Sequence, residues 1–299
     1  MKVVLHFDGT LDLAARLEPM GIELCPESDS GRFAVLLPQV EVLWHVLKPV
    51  TAEVIEGAPK LKLIQKIGSG VNTIDVEAAK RRGIAVCNLP GTNSRAVAEM
   101  TLLLMLACLR RLPQLHARVR QANWADAWAL QDHFGELRGR TVGLMGYGEV
   151  PKVLAPILEA LGASVRYWSR SSGNADFYSV LTTSDIVSLH LPLTPATEKL
   201  IDPRRMKRGA ILVNTARGGL VDEAALVEAL ESGHLAAAGL DVYREEPLPA
   251  GHALLQLRNV VFTPHLAWLT TETLERSITA ALENVRRLGE GLPLLNRVA

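Results

Sequence analysis

The sequence predicts an α/β protein whose strands lie mostly parallel. Short apolar runs alternate along the chain with stretches of helical periodicity, an order typical of successive β-α units. The chain has 299 residues, of which 48% are hydrophobic. It is therefore long enough for one large domain or two ordinary ones, with a substantial core.

The first third of the chain is predicted to form five short strands with helices between them. The strands are KVVLHF, IELC, RFAVLLP, LKLIQKIG and IAVCNL, and the helices are DLAARLEPM, TAEVIEGA and VEAAKRRG. From about Val97 a long helix, VAEMTLLLMLACLRRL, is apolar on most of its faces. Such a helix is expected to be buried against its own domain and against a second subunit.

A second series of strands begins near residue 141. These strands are TVGLMG, ASVRYWS, DIVSLHLP, AILVNTA, AAAGLDV and VVFTPH. They are accompanied by the helices EVPKVLAPILEALG and DEAALVEALESG, the second of which is ended by Gly233. The last helix, Thr271 to Leu288, has no strand after it and is expected to fold back onto the first domain.

Composition and charge disfavour several classes of protein. Lys and Arg together number 32, as do Asp and Glu, so no global charge favours nucleic acid or an anionic membrane. Cys25, Cys87 and Cys108 have neither metal-site nor disulfide spacing, which predicts no metal site and favours a reducing cytoplasm. The first residues read as a strand rather than a signal peptide, and the run MTLLLMLACL is too short to span a bilayer.

The stretch GYGEVP has the form of a dinucleotide-binding turn. Gly146 and Gly148 would let backbone N–H groups at the start of the next helix, near Glu149 and Val150, meet a pyrophosphate. Pro151 stands where a third glycine is usual, but a proline in the first turn of a helix removes no helical hydrogen bond. An ordinary glycine turn without a ligand is the alternative.

The end of the next strand bears on which dinucleotide would bind. An acidic residue about twenty positions after the glycines binds the ribose hydroxyls of NAD. Here Ser169, Arg170 and Ser171 stand there instead. A serine and an arginine favour the 2′-phosphate of NADP, which a carboxylate would repel. The alternative is a solvated arginine at a strand end.

Seven blocks of sequence, in order, together resemble the D-isomer-specific 2-hydroxyacid dehydrogenases. The blocks cover roughly residues 55 to 270 and are LKLIQKIGSGVNTID, GIAVCNLPGTNSRAVAEMTLLLMLA, TVGLMGYGEV, SDIVSLHLPLTPATEKLI, MKRGAILVNTARGGLVDEAALVEAL, GLDVYREEPLP and VVFTPHLAW. So many blocks in order are far more specific than one glycine motif. The residues SRS are similar to those of the NADPH-dependent glyoxylate and hydroxypyruvate reductases of the family.

The resemblance implies two Rossmann-like, parallel-sheet domains with the active site in a cleft between them. A flavodoxin-like substrate domain is expected over residues 1–91, a doubly wound dinucleotide-binding domain over residues 92–266, and a C-terminal helix returning to the substrate domain over residues 267–299. It also implies a homodimer with the long helix near its centre.

Three catalytic residues are carried over from the resemblance: Arg217 of NTARG, Glu246 of DVYREEP and His265 of TPH. A guanidinium can hold both the carboxylate and the carbonyl of a 2-oxo acid. His265 would give a proton to the alkoxide formed by hydride transfer, and Glu246 would orient the imidazole. Taken alone, each residue could instead be a solvated or packed side chain.

Further positions follow from the same resemblance. Ser69 and Gly70 are expected to offer backbone N–H groups to the substrate carboxylate, beside Arg217 and His265. The remaining cofactor contacts are expected from Pro192 along the cofactor and from Thr215 and Asp241 near the nicotinamide.

These observations favour a cytoplasmic, homodimeric 2-oxo acid reductase that prefers NADP(H) over NAD(H), with glyoxylate or hydroxypyruvate as substrate. One alternative is an NAD-linked dehydrogenase of another 2-hydroxy acid. A second is a nucleotide-sensing, corepressor-like binding protein, which the near-zero net charge disfavours.

Overall fold

The computed structural model describes residues 1–171, 173 and 175–299. The chain divides into two compact units, which are described separately below. Unit 1 comprises Met1–Asn93 and Thr270–Ala299, and unit 2 comprises Ser94–Leu269. The sequence places the corresponding boundaries after residues 91 and 266, and the assignment of substrate and nucleotide to the two units stays a prediction.

Unit 1 is built on a five-stranded parallel sheet with the order β2-β1-β3-β4-β5, which is the flavodoxin-like order. Its strands are β1 (Val3–His6), β2 (Ile22–Cys25), β3 (Val42–His45), β4 (Leu63–Lys66) and β5 (Ala85–Cys87). Its first helices are α1 (Leu11–Leu17), α2 (Ser30–Leu36), α3 (Ala52–Glu56) and α4 (Val76–Arg81).

The strand predicted at RFAVLLP is wrong, because this segment forms α2 and the 3-10 turn that follows it. Asp29 begins the helix by accepting a hydrogen bond from Arg32 N at 2.9 Å. Phe33 is buried, whereas Val35 is 78% exposed, as expected of a helix with one apolar face. The missed strand is β3, whose four residues VLWH are all buried.

Unit 2 is built on a six-stranded parallel sheet with the order β11-β10-β9-β8-β6-β7. Its strands are β6 (Thr141–Met145), β7 (Ser164–Trp168), β8 (Ile186–Leu189), β9 (Ile211–Asn214), β10 (Ala237–Leu240) and β11 (Val260–Phe262). The chain passes from β6 to β7 on one side and then to β8 on the other. The carboxyl ends of β6 and β8 therefore form a topological switch point, where α/β sheets bind ligands.

The helices of unit 2 cover both faces of its sheet. They are α5 (Ser94–Leu109), α6 (Leu112–Arg120), α7 (Glu149–Ala160), α8 (Phe177–Thr183) and α9 (Glu223–Glu231). Ile186 and Val187, adjacent in β8, belong to different hydrophobic clusters, so one cluster lies on each face. A Cβ on Gly239 would lie 2.9 Å from Leu104 Cβ, which shows that α5 packs directly on β10.

The last helix, α10 (Thr271–Gly289), belongs to unit 1. Its buried Asn284 donates a hydrogen bond to Gln65 Oε1 at 2.7 Å. The chain then runs beside β5, where Val86 N donates to Ala299 O at 3.0 Å. No helix in the described part of the chain combines the length and the apolar character needed to cross a membrane.

Candidate active site

A glycine turn lies at the switch point of the unit 2 sheet. Gly146 follows β6 with a φ of 101°, a conformation that side chains disfavour. Its N–H donates to Trp168 O at 2.8 Å, which joins the turn to the end of β7. A Cβ at Gly146 would lie 2.6 Å from His190 O, just after β8, so the position requires glycine.

The second glycine leaves open space at the start of α7. A Cβ placed on Gly148 would meet no other atom within 4 Å. The first N–H groups of a helix lack helical partners and attract anions, so this cradle suits a pyrophosphate. Pro151 is the third residue of α7, in the first turn as predicted, and is buried. Glu149 is 62% exposed and pairs with Lys152 at 2.9 Å, so its charge is partly balanced.

The residues predicted to select the cofactor follow β7, the edge strand beside β6. Ser169 is half-buried, and Arg170 and Ser171 are exposed. The hydrogen bond from Gly146 N to Trp168 O brings this strand end next to the glycine turn. Ser172 and Asn174 lie outside the described residues, and the role of the SRS segment stays a prediction.

Glu246 and His265 form a close pair. Glu246 Oε2 lies 2.6 Å from His265 Nδ1, and Glu246 Oε1 accepts a hydrogen bond from Tyr243 N at 2.9 Å. Burial raises the pKa of Glu246, but the hydrogen bond and charge of His265, the Tyr243 N–H and the charge of Arg217 together lower it below its ordinary value. An ionised Glu246 accepts from Nδ1 and leaves Nε2 to face a reacting group.

The buried Asp241 fixes the turn that carries His265. Its Oδ1 accepts hydrogen bonds from Thr263 Oγ1 at 2.6 Å and Leu266 N at 3.0 Å, and its Oδ2 accepts from Ala267 N at 3.0 Å. Its carbonyl accepts from His265 N at 2.7 Å. His265 has a φ of 56°, and these bonds support that left-handed conformation. The expected contact of Asp241 with nicotinamide stays a prediction, while this orienting role was missed.

Arg217 lies in the loop after β9, near the pair formed by Glu246 and His265. Asn214 shapes the loop, because its Nδ2 donates to Arg217 O at 2.9 Å and its Oδ1 accepts from Ala216 N at 3.0 Å. Burial lowers the pKa of Arg217, and the charge of Glu246 opposes that shift. The two charged groups are therefore near enough to influence each other.

The other predicted cofactor residues lie at neighbouring strand ends. Thr215 Oγ1 is 2.9 Å from Thr101 Oγ1 of α5, and Pro192 O accepts from Thr197 Oγ1 at 2.7 Å.

His190 lies beside the glycine turn, and its Nε2 is 3.0 Å from Ser188 Oγ. Burial lowers the pKa of His190 to about 3. A histidine that stays neutral in this way is suited to a structural role rather than to proton transfer near neutral pH.

Ser69 and Gly70 lie in the loop after β4 of unit 1. Ser69 O accepts a hydrogen bond from Asn88 Nδ2 at 2.8 Å. The glycine with a positive φ in this loop is Gly68, at 140°. Their contact with substrate stays a prediction. Among the described residues, no group of three or more His, Cys, Asp or Glu side chains is arranged to hold a metal ion.

Comparisons with known proteins identify the family. Residues 102–267, more than half of the chain, match the model of the D-isomer specific 2-hydroxyacid dehydrogenase NAD binding domain. The chain belongs to this family. A D-3-phosphoglycerate dehydrogenase of Archaeoglobus fulgidus is 41% identical over 83% of the chain, which spans only 49% of that relative. A glyoxylate reductase of Korarchaeum cryptofilum is 39% identical over 79% of the chain and 76% of the relative.

Solved structures agree with the family assignment. The TT0316 protein of Thermus thermophilus is 38% identical, with a TM-score of 0.87 over the whole of both chains. An NAD-dependent formate dehydrogenase of Staphylococcus aureus holds NAD and is 28% identical, with a TM-score of 0.88 over 100% of this chain and 99% of that one. An acyclic imino acid reductase, Bsp5, holds NADPH and is 27% identical, with a TM-score of 0.82 over 99% of each chain. The family and the relatives' names indicate NAD(P)-dependent D-2-hydroxyacid dehydrogenase activity.

Proposed function

We propose that this member of the family reduces a small 2-oxo acid to the D-2-hydroxy acid with NADPH, and that glyoxylate or hydroxypyruvate is its substrate. The observation that carries the proposal is the 2.6 Å contact between Glu246 Oε2 and His265 Nδ1. This pair lies close to the half-buried Arg217, in a unit whose glycine turn has room for a pyrophosphate.

In this mechanism Arg217 binds the 2-oxo acid and His265 supplies the proton. The guanidinium holds the carboxylate and the carbonyl oxygen from one side, which orients the substrate. A reduced nicotinamide dinucleotide, held by Gly146, Gly148 and the start of α7, would supply the hydride that the carbonyl carbon accepts. His265 then gives its Nε2 proton to the oxygen, while Glu246 stabilises the imidazolium through Nδ1. In the oxidation direction His265 takes the proton back.

The cofactor preference rests on the end of β7. Ser169 and Arg170 offer a hydroxyl and a cation where a carboxylate would bind the ribose of NAD. Solved structures of this fold hold either NAD or NADPH, so the fold leaves the choice to such local residues. Gly146, Gly148 and the start of α7 would hold the pyrophosphate with either cofactor.

The substrate proposal draws on the relatives named glyoxylate reductase. Backbone N–H groups of Ser69 and Gly70 are proposed to bind the substrate carboxylate. The test is a steady-state assay of glyoxylate, hydroxypyruvate and other 2-oxo acids, each with NADPH and with NADH. Faster reduction of glyoxylate or hydroxypyruvate with NADPH is expected.

The same assay separates the alternatives. Relatives named D-3-phosphoglycerate dehydrogenase favour, as the second candidate, an NAD-linked dehydrogenase of another 2-hydroxy acid. That candidate predicts better turnover with NADH and with a different 2-oxo acid. Nucleotide binding with negligible turnover of every acid would instead indicate a nucleotide-sensing protein.

We further propose a cytoplasmic homodimer. Large apolar side chains are exposed on α5, on α6 and in the segment after them, and include Leu103, Leu106, Leu112, Val119, Trp124 and Trp128. Exposed patches of this kind are typical of protein interfaces. Sedimentation should therefore give a dimer, and Trp124→Glu with Trp128→Glu should weaken it. Cys25, Cys87 and Cys108 are free and buried, which is compatible with a reducing compartment.

A further inference from the structure

The loop that carries Glu246 is held near both of its ends by one side chain, Glu223, the first residue of α9. Glu223 Oε2 accepts a hydrogen bond from Arg244 N at 3.5 Å, and Glu223 Oε1 lies 3.2 Å from His252 Nε2. The side chains of Glu223 and His252 are 20% and 23% exposed, so the surrounding protein largely shields their contact from water. Water therefore weakens this contact less than it would a fully exposed one.

The hydrogen bonds of His252 determine where its proton lies. His252 Nδ1 accepts the N–H of Leu254 at 3.3 Å, so Nδ1 carries no proton in this arrangement. The neutral ring then carries its proton on Nε2, which donates to Glu223. One imidazole thus joins the start of α9 to the 3-10 turn Ala253–Gln256, with Glu246 between the two anchored ends of the loop.

The loop after β9 supports the same peptide from another direction. A Cβ on Gly218 would lie 1.9 Å from the carbonyl carbon of Tyr243, so the two backbones are in direct contact there. Gly218 follows Arg217 in the chain, and the next peptide N–H, that of Arg244, is the one bound by Glu223. Glu223 therefore contacts the peptide that packs against Gly218, next to Arg217, and that leads into Glu246.

We propose that Glu223 and His252 are positioning residues that keep Glu246 within hydrogen-bonding distance of His265. The proposal rests on the proposed function, because it takes Glu246 and His265 as the acid–base pair. A contact of 2.6 Å tolerates little movement of the loop. Without Glu223 the Arg244–His252 segment loses one hydrogen bond near each of its ends, which loosens the carboxylate that orients His265.

The test compares pH profiles of 2-oxo acid reduction by the full-length protein. Glu223→Ala should lower kcat about ten- to a hundred-fold, as small misplacements at catalytic groups do. The alkaline limb of the profile should also move to lower pH, because the imidazolium loses its carboxylate partner. Glu228→Ala is the matched control on the same helix, since Glu228 is exposed and pairs with Arg204 at 3.4 Å. It should keep the parental profile.

Two substitutions at His252 separate the capping contact from the contact with Glu223. An asparagine amide can replace Nδ1 and keep the bond to Leu254, whereas a glutamine amide can replace Nε2 and keep the bond to Glu223. His252→Gln should therefore retain more of the parental pH profile than His252→Asn, even if Glu223→Ala does not fold. An active parent whose Glu223→Ala and His252→Asn variants keep the parental profile would overturn the positioning role alone. An inactive parent would overturn the proposed function and this role with it.

Discussion

Both parallel sheets have polar residues at their carboxyl edges. In unit 1 these residues lie within the strands, and in unit 2 they lie in the loops that follow the strands. In unit 1 the last residues of adjacent strands are His6, His45 and Lys66, and all three are buried. In unit 2 the polar groups stand after the strands: Asp241 directly follows β10, and Arg217 and His265 stand three residues beyond β9 and β11.

His45 and Lys66 are hydrogen-bonded within unit 1, whereas the ring of His6 stacks on Phe33. His45 Nε2 lies 2.8 Å from Thr73 Oγ1 and 3.5 Å from Lys66 Nζ, and Lys66 also donates to Val46 O. Burial lowers the pKa of His6 to about 4 and that of His45 to about 2, and the nearby lysine charges add to both shifts. These histidines therefore stay neutral near neutral pH and are suited to holding the edge of the sheet.

In unit 2, loops carry Arg217 and Glu246 beyond the strand ends, where the charge of each acts on the pKa of the other. Glu246 remains ionised beside His265, and Arg217 lies close enough for its charge to lower the pKa of Glu246. The two histidines in the last strand positions of unit 1 are thus enclosed and kept neutral, whereas loops carry Arg217 and Glu246 beyond the strand ends of unit 2 to a site where charge is retained. The contrast explains why similar architectures carry a structural network in one unit and candidate chemistry in the other.

Removal of the unit 2 imidazole should have the largest effect. His265→Ala should lose turnover by about 10²- to 10⁴-fold, as expected for a general acid–base group, while NADPH binding is kept. The measurement is kcat for the best 2-oxo acid, together with fluorescence titration of NADPH. His133→Ala, at an exposed histidine of the same unit, is the control. Turnover within a few-fold of the parent would remove His265 from the mechanism.

The next largest effect should come from the end of β7. Ser169→Asp with Arg170→Ala removes a cation and adds a carboxylate, which should weaken NADPH while NADH binding holds or improves. Loss of a charge-assisted hydrogen bond corresponds to about ten- to a hundred-fold in affinity. Both cofactors are titrated at one fixed salt concentration, because phosphate contacts are partly screened. An unchanged ratio of the two affinities would show that Ser169 and Arg170 do not select the cofactor.

Sequence reasoning recovered the α/β class and the parallel sheets, and the catalytic roles it assigned to Arg217, Glu246 and His265 stay predictions. It failed where a contact depends on loops meeting in space. No sequence pattern around Glu223 or around His252 predicts that the two side chains pair, because 29 residues separate them. By contrast, the missed helices α2 and α8 had local signals: Asp29 and Asp176 each accept an N–H in the first turn, as N-cap residues do.

Replacement of the carboxylate partner should change the pH dependence more than the maximal rate. Glu246→Gln removes the negative charge that favours the imidazolium of His265, so reduction should lose activity at lower pH than in the parent, by about one unit. Because the pKa of Glu246 lies below its ordinary value, the parent should keep this partner ionised above about pH 4.5. The measurement is kcat/KM for reduction across pH 5 to about 9. Superimposable profiles would argue against the pair.

The last expected change concerns the stability of the unit 1 edge and leaves catalysis aside. Burial lowers the pKa of His45 from 6.5 to about 2, so between these values the unfolded chain binds a proton that the folded chain does not. Stability is therefore present above the unfolded pKa and falls as pH drops below it, by about 2 kcal/mol between pH 7 and pH 5. His45→Gln keeps an amide near Thr73 but cannot take up that proton, so its unfolding free energy should fall less over the same interval. Urea titrations at both pH values measure the difference, with His133→Gln as an exposed control that should follow the parent. If His45→Gln loses as much stability as the parent, the enclosed histidine does not stay neutral in the folded state, and the contrast between the two sheet edges fails on the unit 1 side.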